Sequence, residues 1–199
     1  MNYAKTAFSE AVKKLQEKYG SRPNYAKMEK MGEQPGLGYA EIQFISERDG
    51  FYLSSIGENG FPYIQFRGGP KGFLKVLDQE TIAFLDFRGN MQFISTGNIS
   101  QNNKVALFLM DYAQRTRLKI FAEAEIQDIK DNPELAEELS LENYRAKPER
   151  IMLLKVKAFD WNCPQHITPK YTLEEFEFAF ETQQKYIQEL EAKLKAAGN

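Results

Sequence analysis

The chain has 199 residues, of which 42% are hydrophobic and 27% charged, with a formal net charge of -2. That balance fits one globular domain with a sizeable core and gives no general polyanion-binding surface, so nucleic acid is not an expected partner. A single cysteine excludes an intramolecular disulfide, no stretch approaches the about 18 apolar residues of a membrane span, and the N-terminus lacks the apolar run of a signal peptide. A cytoplasmic protein with no membrane partner is expected.

Along the chain, Phe8, Val12, Leu15 and Tyr19 recur at helical spacing, with Gly20 placed to end the helix. A second helical stretch runs from Tyr39 to Arg48 and stops at Asp49-Gly50. The pattern then changes. FYLSSI, FPYIQFR, GFLKVL, TIAFLDF, KVALFLMDY, RLKIFAEAEI and RIMLLKVKAF are short runs rich in β-formers. Turn signals separate most of them, at GENG (Gly57 to Gly60), GGPKG (Gly68 to Gly72), DQE (Asp78 to Glu80) and AQRT (Ala113 to Thr116). Seven strands joined by short turns predict an antiparallel barrel or sandwich.

Two insertions interrupt the meander. Gly89 to Asn103 reads as a short helix, and Asn132 to Ala146 as another, with Asn132 or Asp131 as its cap and Pro133 in its first turn. The tail from Thr172 to Ala197 is a long helix in which Phe176, Phe180, Ile187, Leu190 and Leu194 form one apolar stripe, suited to packing on the barrel or on a partner chain. The expected organisation is a helical extension over 1–50 packed on a barrel over 51–168, followed by a C-terminal helix over 169–199. All three belong to a single α+β, mainly β domain.

The only tryptophan, cysteine and histidine fall together in FDWNCPQHIT, as Trp161, Cys163 and His166. Cys163 and His166 have the spacing of half a zinc site, but the chain has no second Cys or His to complete one, so no metal is expected. A thiol nucleophile is disfavoured because Pro164 keeps a helix from running through Cys163. The bland alternative is a small apolar thiol under a loop.

Basic residues at strand ends and turns are more telling. Arg67 and Lys71 flank the glycines of FRGGPKG, Arg88 precedes Gly89-Asn90, and Arg115, Arg117 and Lys119 lie in RTRLK. Glycine lets a backbone approach an anion closely, and Arg binds phosphate oxygens through a two-pronged fork. Each alone reads as an ordinary turn with a solvated charge. Together they point to a phosphate-bearing ligand.

The combination RGGPKGFL, DFRGN, ALFLMDY and DWNCPQHI resembles the flavin-binding split-barrel superfamily typified by pyridoxamine 5'-phosphate oxidase, over roughly residues 51–168. It is most similar to a bacterial subgroup of flavin-nucleotide-binding proteins. The resemblance implies an antiparallel split β-barrel that forms a homodimer, with FMN bound between subunits. It places Arg67 at the FMN phosphate and Gly89-Asn90 where the oxidase has Gly-Ser, at the start of a helix. Lys71, Arg88, Gln92, Ser95 and Arg117 are further cofactor-binding candidates, Lys71 and Arg88 as replacements for lost positive charge. Trp161 is then an aromatic wall of the pocket, Asn162 and Gln165 hydrogen-bond the ring edge, and His166 is the catalytic candidate, able to carry protons.

Two departures stand out. Met91-Gln92 replace the oxidase's Arg-Lys, and its Arg-x-His has no counterpart after His166. Pyridoxamine phosphate is therefore not the expected substrate. The resemblance implies an FMN-dependent oxidoreductase acting on an unidentified small molecule. The alternatives are a flavin-binding or flavin-storing protein without turnover, or the same barrel holding haem or a deazaflavin.

Overall fold

Alternation of side chains builds the sheet. In β1 (Gly50–Ile56) Phe51, Leu53 and Ser55 are buried while Tyr52 and Ile56 are exposed. In β2 (Pro62–Gly68) Ile64 and Phe66 face outward, and Tyr63, Gln65 and Arg67 are half-buried. The turn between them closes through Gly57 N–H to the Phe61 carbonyl at 3.1 Å, and Gly60 takes φ of 79°, a conformation that favours glycine. The structure, a computed structural model, describes residues 1–161 and 164–197. These fall into two compact units, Met1–Met110 with Thr116–Cys163, and Asp111–Arg115 with Pro164–Asn199.

The first unit holds a seven-stranded antiparallel sheet in the order β2-β1-β5-β6-β7-β4-β3. Its remaining strands are β3 (Lys75–Asp78), β4 (Thr81–Phe87), β5 (Lys104–Asp111), β6 (Thr116–Asp128) and β7 (Pro148–Trp161). Long β7 pairs with both β6 and β4, Ala124 facing Leu154 on one side and Phe84 facing Met152 on the other. The two edge strands, β2 and β3, are not neighbours, so the sheet is not closed. It curls nonetheless. Phe51 of β1 meets Phe84 of β4 edge-on at 5.4 Å, and Phe73 stacks on Phe51 at 5.9 Å. These rings and Leu53, Leu107, Leu118, Ile120 and Leu154 form the core.

Helices cover the curl. The N-terminal run contains α1 (Tyr3–Ala7), α2 (Glu10–Lys18), α3 (Arg22–Lys30) and α4 (Tyr39–Ser46). The helix expected around Phe8 to Tyr19 begins only after Ser9, because the Ser9 hydroxyl accepts from Val12 N–H at 3.4 Å and caps α2. Gly20 follows with φ of 73°, as expected of a helix stop. α3 carries Pro23 in its first turn and buries no residue, so no apolar stripe announced it. α4 buries Phe44 and Ile45, and the Glu41 carboxylate accepts from Gly38 N–H at 2.9 Å across its first turn. β3 starts later than the run GFLKVL suggests, since Gly72 at φ of 83° and a bond from Phe73 N–H to the Pro70 carbonyl turn the chain. Phe73 and Leu74 enter the core ahead of the strand.

The two insertions hold α5 (Ile94–Gln101) and α6 (Pro133–Glu138). Leu139, just after α6, joins Leu85 and Ile151 in a smaller cluster. In the second unit, Lys170 lies over the Tyr112 ring at 4.8 Å. The same unit contains α7 (Leu173–Ala197). A capping box starts α7. Thr172 Oγ1 accepts from Glu175 N–H at 3.2 Å, and the Glu175 carboxylate accepts from Thr172 N–H at 2.8 Å. Among the described residues no helix is long and apolar enough to cross a membrane.

Candidate functional site

One groove gathers much of the predicted site: Arg67, Gly89, Asn90, Gln92 and Ser95 all line it. β2 brings Arg67 to its floor, and the loop after β4 forms its rim. That loop is unusual. Met91 and Phe93 both have left-handed backbones, with φ of 61° and 55°. Such conformations cost free energy in non-glycine residues and persist where the surroundings impose them. Gln92 N–H donates to the Asn90 side chain at 3.2 Å, which holds the turn.

Phe93 is the N-cap of α5 and supplies no side-chain cap bond. The first N–H groups of α5 are therefore left without a side-chain acceptor, at the positive end of the helix dipole. The change of hand from Phe93 to the right-handed Ile94 turns successive N–H groups toward one side, a concavity that suits an anion. The Ser95 hydroxyl donates to Gln65 Oε1 at 2.8 Å, and Asn98 Nδ2 donates to the Ser55 hydroxyl at 3.0 Å, so α5 is fastened to β2 and β1.

Beneath the loop lies a charge cluster the sequence reading missed. Asp86 of β4 is 2% exposed. It accepts from Arg67 Nη1 on one oxygen and, on the other, from Arg150 Nε at 2.9 Å and Nη2 at 2.8 Å. Arg150 also lies over the Phe93 ring at 5.3 Å and reaches Glu149 at 3.4 Å. Asp86 thus ties β2, β4 and β7 together and, through Arg150, steadies the cap of α5. Arg67 Nε is buried and has no hydrogen-bond partner. A signal was available in sequence: Asp86 is a lone charge inside the apolar run TIAFLDF, and a buried charge needs a partner.

Lys71 is exposed in the turn after β2. Arg88 is beside the groove, not lining it, with Nε 3.7 Å from Glu149 and Nη2 3.8 Å from Met91 Sδ. Arg117 of β6 packs over Phe108 at 6.0 Å, and its Nε is also buried without a partner. Trp161 meets Phe44 edge-on at 4.8 Å and donates its indole N–H to Glu41 at 2.6 Å, which fastens the end of β7 to α4. Asn162 and Cys163 lie outside the described residues. Gln165 and His166 belong to the second unit, both exposed, with His166 at φ of 63°.

A second, more open groove adjoins the first through Tyr63, Phe93 and Ile94, and is lined also by Phe61, Asn98 and Gln101. Charge at the α5 end and apolar or amide surface beyond it match a ligand with an anionic tail and a flat polar body.

A family model described as pyridoxamine 5'-phosphate oxidase matches residues 40–161, from α4 to the end of β7. No curated protein matches the chain. Among solved structures, a protein of Lactobacillus delbrueckii described as a candidate pyridoxamine 5'-phosphate oxidase has a TM-score of 0.50 at 18% identity, over 64% of this chain and 95% of its own. HupZ of Group A Streptococcus has a TM-score of 0.48 at 14% identity, over 68% and 100%. An FMN-binding protein of Syntrophomonas wolfei has a TM-score of 0.45 at 11% identity, over 74% and 97%. At these identities the likeness is one of fold, and the Lactobacillus structure is the one that bears on it.

Proposed function

The chain belongs to the pyridoxamine 5'-phosphate oxidase family, and on that premise we propose that it binds FMN at the groove below α5 and acts as an oxidoreductase on a small molecule. The observation that carries the reading is the meeting, in one groove, of the uncapped start of α5 with the buried, unpartnered Nε of Arg67. A phosphate monoester seated there takes N–H bonds from the first turn of the helix and a charge-assisted bond from Arg67. Asp86 does not repel it decisively, because two guanidinium groups already share that carboxylate.

The Arg-Lys pair that follows Gly-Ser in pyridoxamine 5'-phosphate oxidase is replaced here by Met91 and Gln92 after Gly89-Asn90. Arg67 and Arg150 supply positive charge from the strands instead. The flavin would supply the electron-accepting ring, and the protein its binding and orientation. The absence of an Arg-x-His after His166 argues against pyridoxamine phosphate as the substrate.

A homodimer is part of the same proposal. Tyr52, Ile64 and Phe66 are exposed on the outward face of β1 and β2 beside an open sheet edge, a patch suited to a protein partner. Sedimentation is expected to give about twice the 23.0 kDa chain mass; a monomer that binds FMN would contradict it.

The phosphate contribution is tested by titrating the protein with FMN and with riboflavin, which lacks the phosphate. FMN is expected to bind at least about tenfold more tightly, the value of one charge-assisted bond. Equal affinities would remove the α5 groove from the reading.

A further inference from the structure

We infer that α7 pairs in parallel and in register with α7 of a second copy of this chain, as a two-stranded coiled coil. The first observation is the spacing of its apolar residues. Leu173, Phe176, Phe180, Ile187, Leu190 and Leu194, with Gln183 between them, follow one another at intervals of 3, 4, 3, 4, 3 and 4 residues. That is a heptad seam, with Leu173, Phe180, Ile187 and Leu194 at the a positions and Phe176, Gln183 and Leu190 at the d positions. It spans nearly the whole of the 25-residue helix.

The second observation is exposure. Every apolar residue of the seam is open to solvent, from 40% for Leu190 to 73% for Leu194. A stripe of large apolar side chains in water is a docking face. The regular interval of 3 and 4 selects another helix as its occupant, since it lets each side chain drop between four of a partner's.

The third observation fixes the direction. The e positions flanking the seam hold Glu177, Gln184 and Glu191, and the g positions hold Ala179, Tyr186 and Lys193. In a parallel pair each g residue faces the e residue of the next heptad. Ala179 then meets Gln184 and Tyr186 meets Glu191 of the second copy, with no like charges opposed. In an antiparallel pair e residues face each other, and Glu177 would meet Glu191 twice. Gln183 acts in the same sense. Parallel alignment sets it against its own counterpart, where two amides satisfy each other. Antiparallel alignment sets it against Ile187, which leaves a buried amide unpaired. A single polar residue in a seam specifies register in this way.

This pairing does not rest on flavin binding, and it is separate from the sheet-face contact proposed above. The test is disulfide trapping in the full-length chain with Cys163→Ser, so that one introduced thiol is the only probe. Leu194→Cys, air-oxidised with a copper catalyst, is expected to give mostly covalent dimer on a non-reducing gel. Lys185→Cys, on the far side of the helix at an f position, is expected to stay monomeric on that gel. Both positions are exposed, so neither substitution disturbs a core, and a melting curve for each checks this. Mixing Leu194→Cys with Phe176→Cys distinguishes direction: parallel pairing yields two homodisulfides and little mixed species. A predominant mixed disulfide would overturn the parallel assignment. Failure of Leu194→Cys to crosslink both alone and with Phe176→Cys, or equal crosslinking of Lys185→Cys, would overturn the pairing altogether, and FMN binding by such a protein would leave the flavin reading standing.

Discussion

Arg67, on one edge strand, donates to the carboxylate of Asp86 on β4, next to the other edge, and so joins the two ends of an open sheet that no backbone ladder joins. The curl of the sheet and the base of the candidate site are therefore one feature. Asp86 holds Arg67, which lines the groove, through its Nη1, and holds Arg150 where its guanidinium lies over Phe93 at the cap of α5.

Asp86→Ala is expected to be strongly destabilising. It leaves two largely buried guanidinium groups without their shared acceptor. Removing one partner of a buried ion pair costs about 3–5 kcal/mol, which for a chain of this size lowers Tm by roughly 10 °C. A melting curve within about 2 °C of the parent's would show that the cluster is not a structural tie.

Arg67→Ala is expected to weaken FMN binding more than Arg115→Ala. Arg67 lines the groove, while Arg115 lies in the turn between β5 and β6 and belongs to the second unit. The loss of one charge-assisted hydrogen bond is worth about 1.5–3 kcal/mol, or roughly ten- to a hundredfold in Kd. Asp86 keeps both bonds from Arg150 in this variant, so the fold is expected to persist. Flavin fluorescence quenching measures both affinities, and equal values would take Arg67 out of the phosphate site.

Much of this architecture was legible in the sequence, and the failures have identifiable causes. Seven strands could be read because side chains alternate along them and glycine or Asp-containing turns separate them; Gly57 to Gly60 forms the expected turn. Helix detail fared worse. Ser9 caps a new helix inside what the apolar spacing presents as one, and α3 has no buried face to give it a period. Glycines and Arg67 drew notice to the groove, but its base depends on Asp86 meeting Arg150, 64 residues away. No local spacing encodes that meeting. In FDWNCPQHIT, Trp161 packs on Phe44 in the first unit and His166 belongs to the second, with Asn162 and Cys163 outside the described residues.

The β3–β4 turn carries a small pH dependence. The backbone N–H of Glu80, donating to Asp78 at 2.7 Å, holds the Asp78 carboxyl below its ordinary value, opposed by slight burial and aided by Thr81. A depressed carboxyl stabilises the fold above its unfolded value and loses that contribution as pH falls through the folded one. Asp78 is largely exposed, so the effect is screened to about 0.5 kcal/mol or less. Denaturant midpoints of the parent and Asp78→Asn are expected to differ near neutrality and to converge as the Asp78 carboxyl becomes protonated in acid. A difference that stays constant across that range would assign the turn's stability to packing alone.

The full-length protein, purified without added flavin and then incubated with FMN and desalted, is expected to be yellow, and to release on heating a chromophore that co-migrates with FMN at about one per chain. A protein that stays colourless after that incubation, or that releases haem or a deazaflavin instead, would contradict FMN as the cofactor.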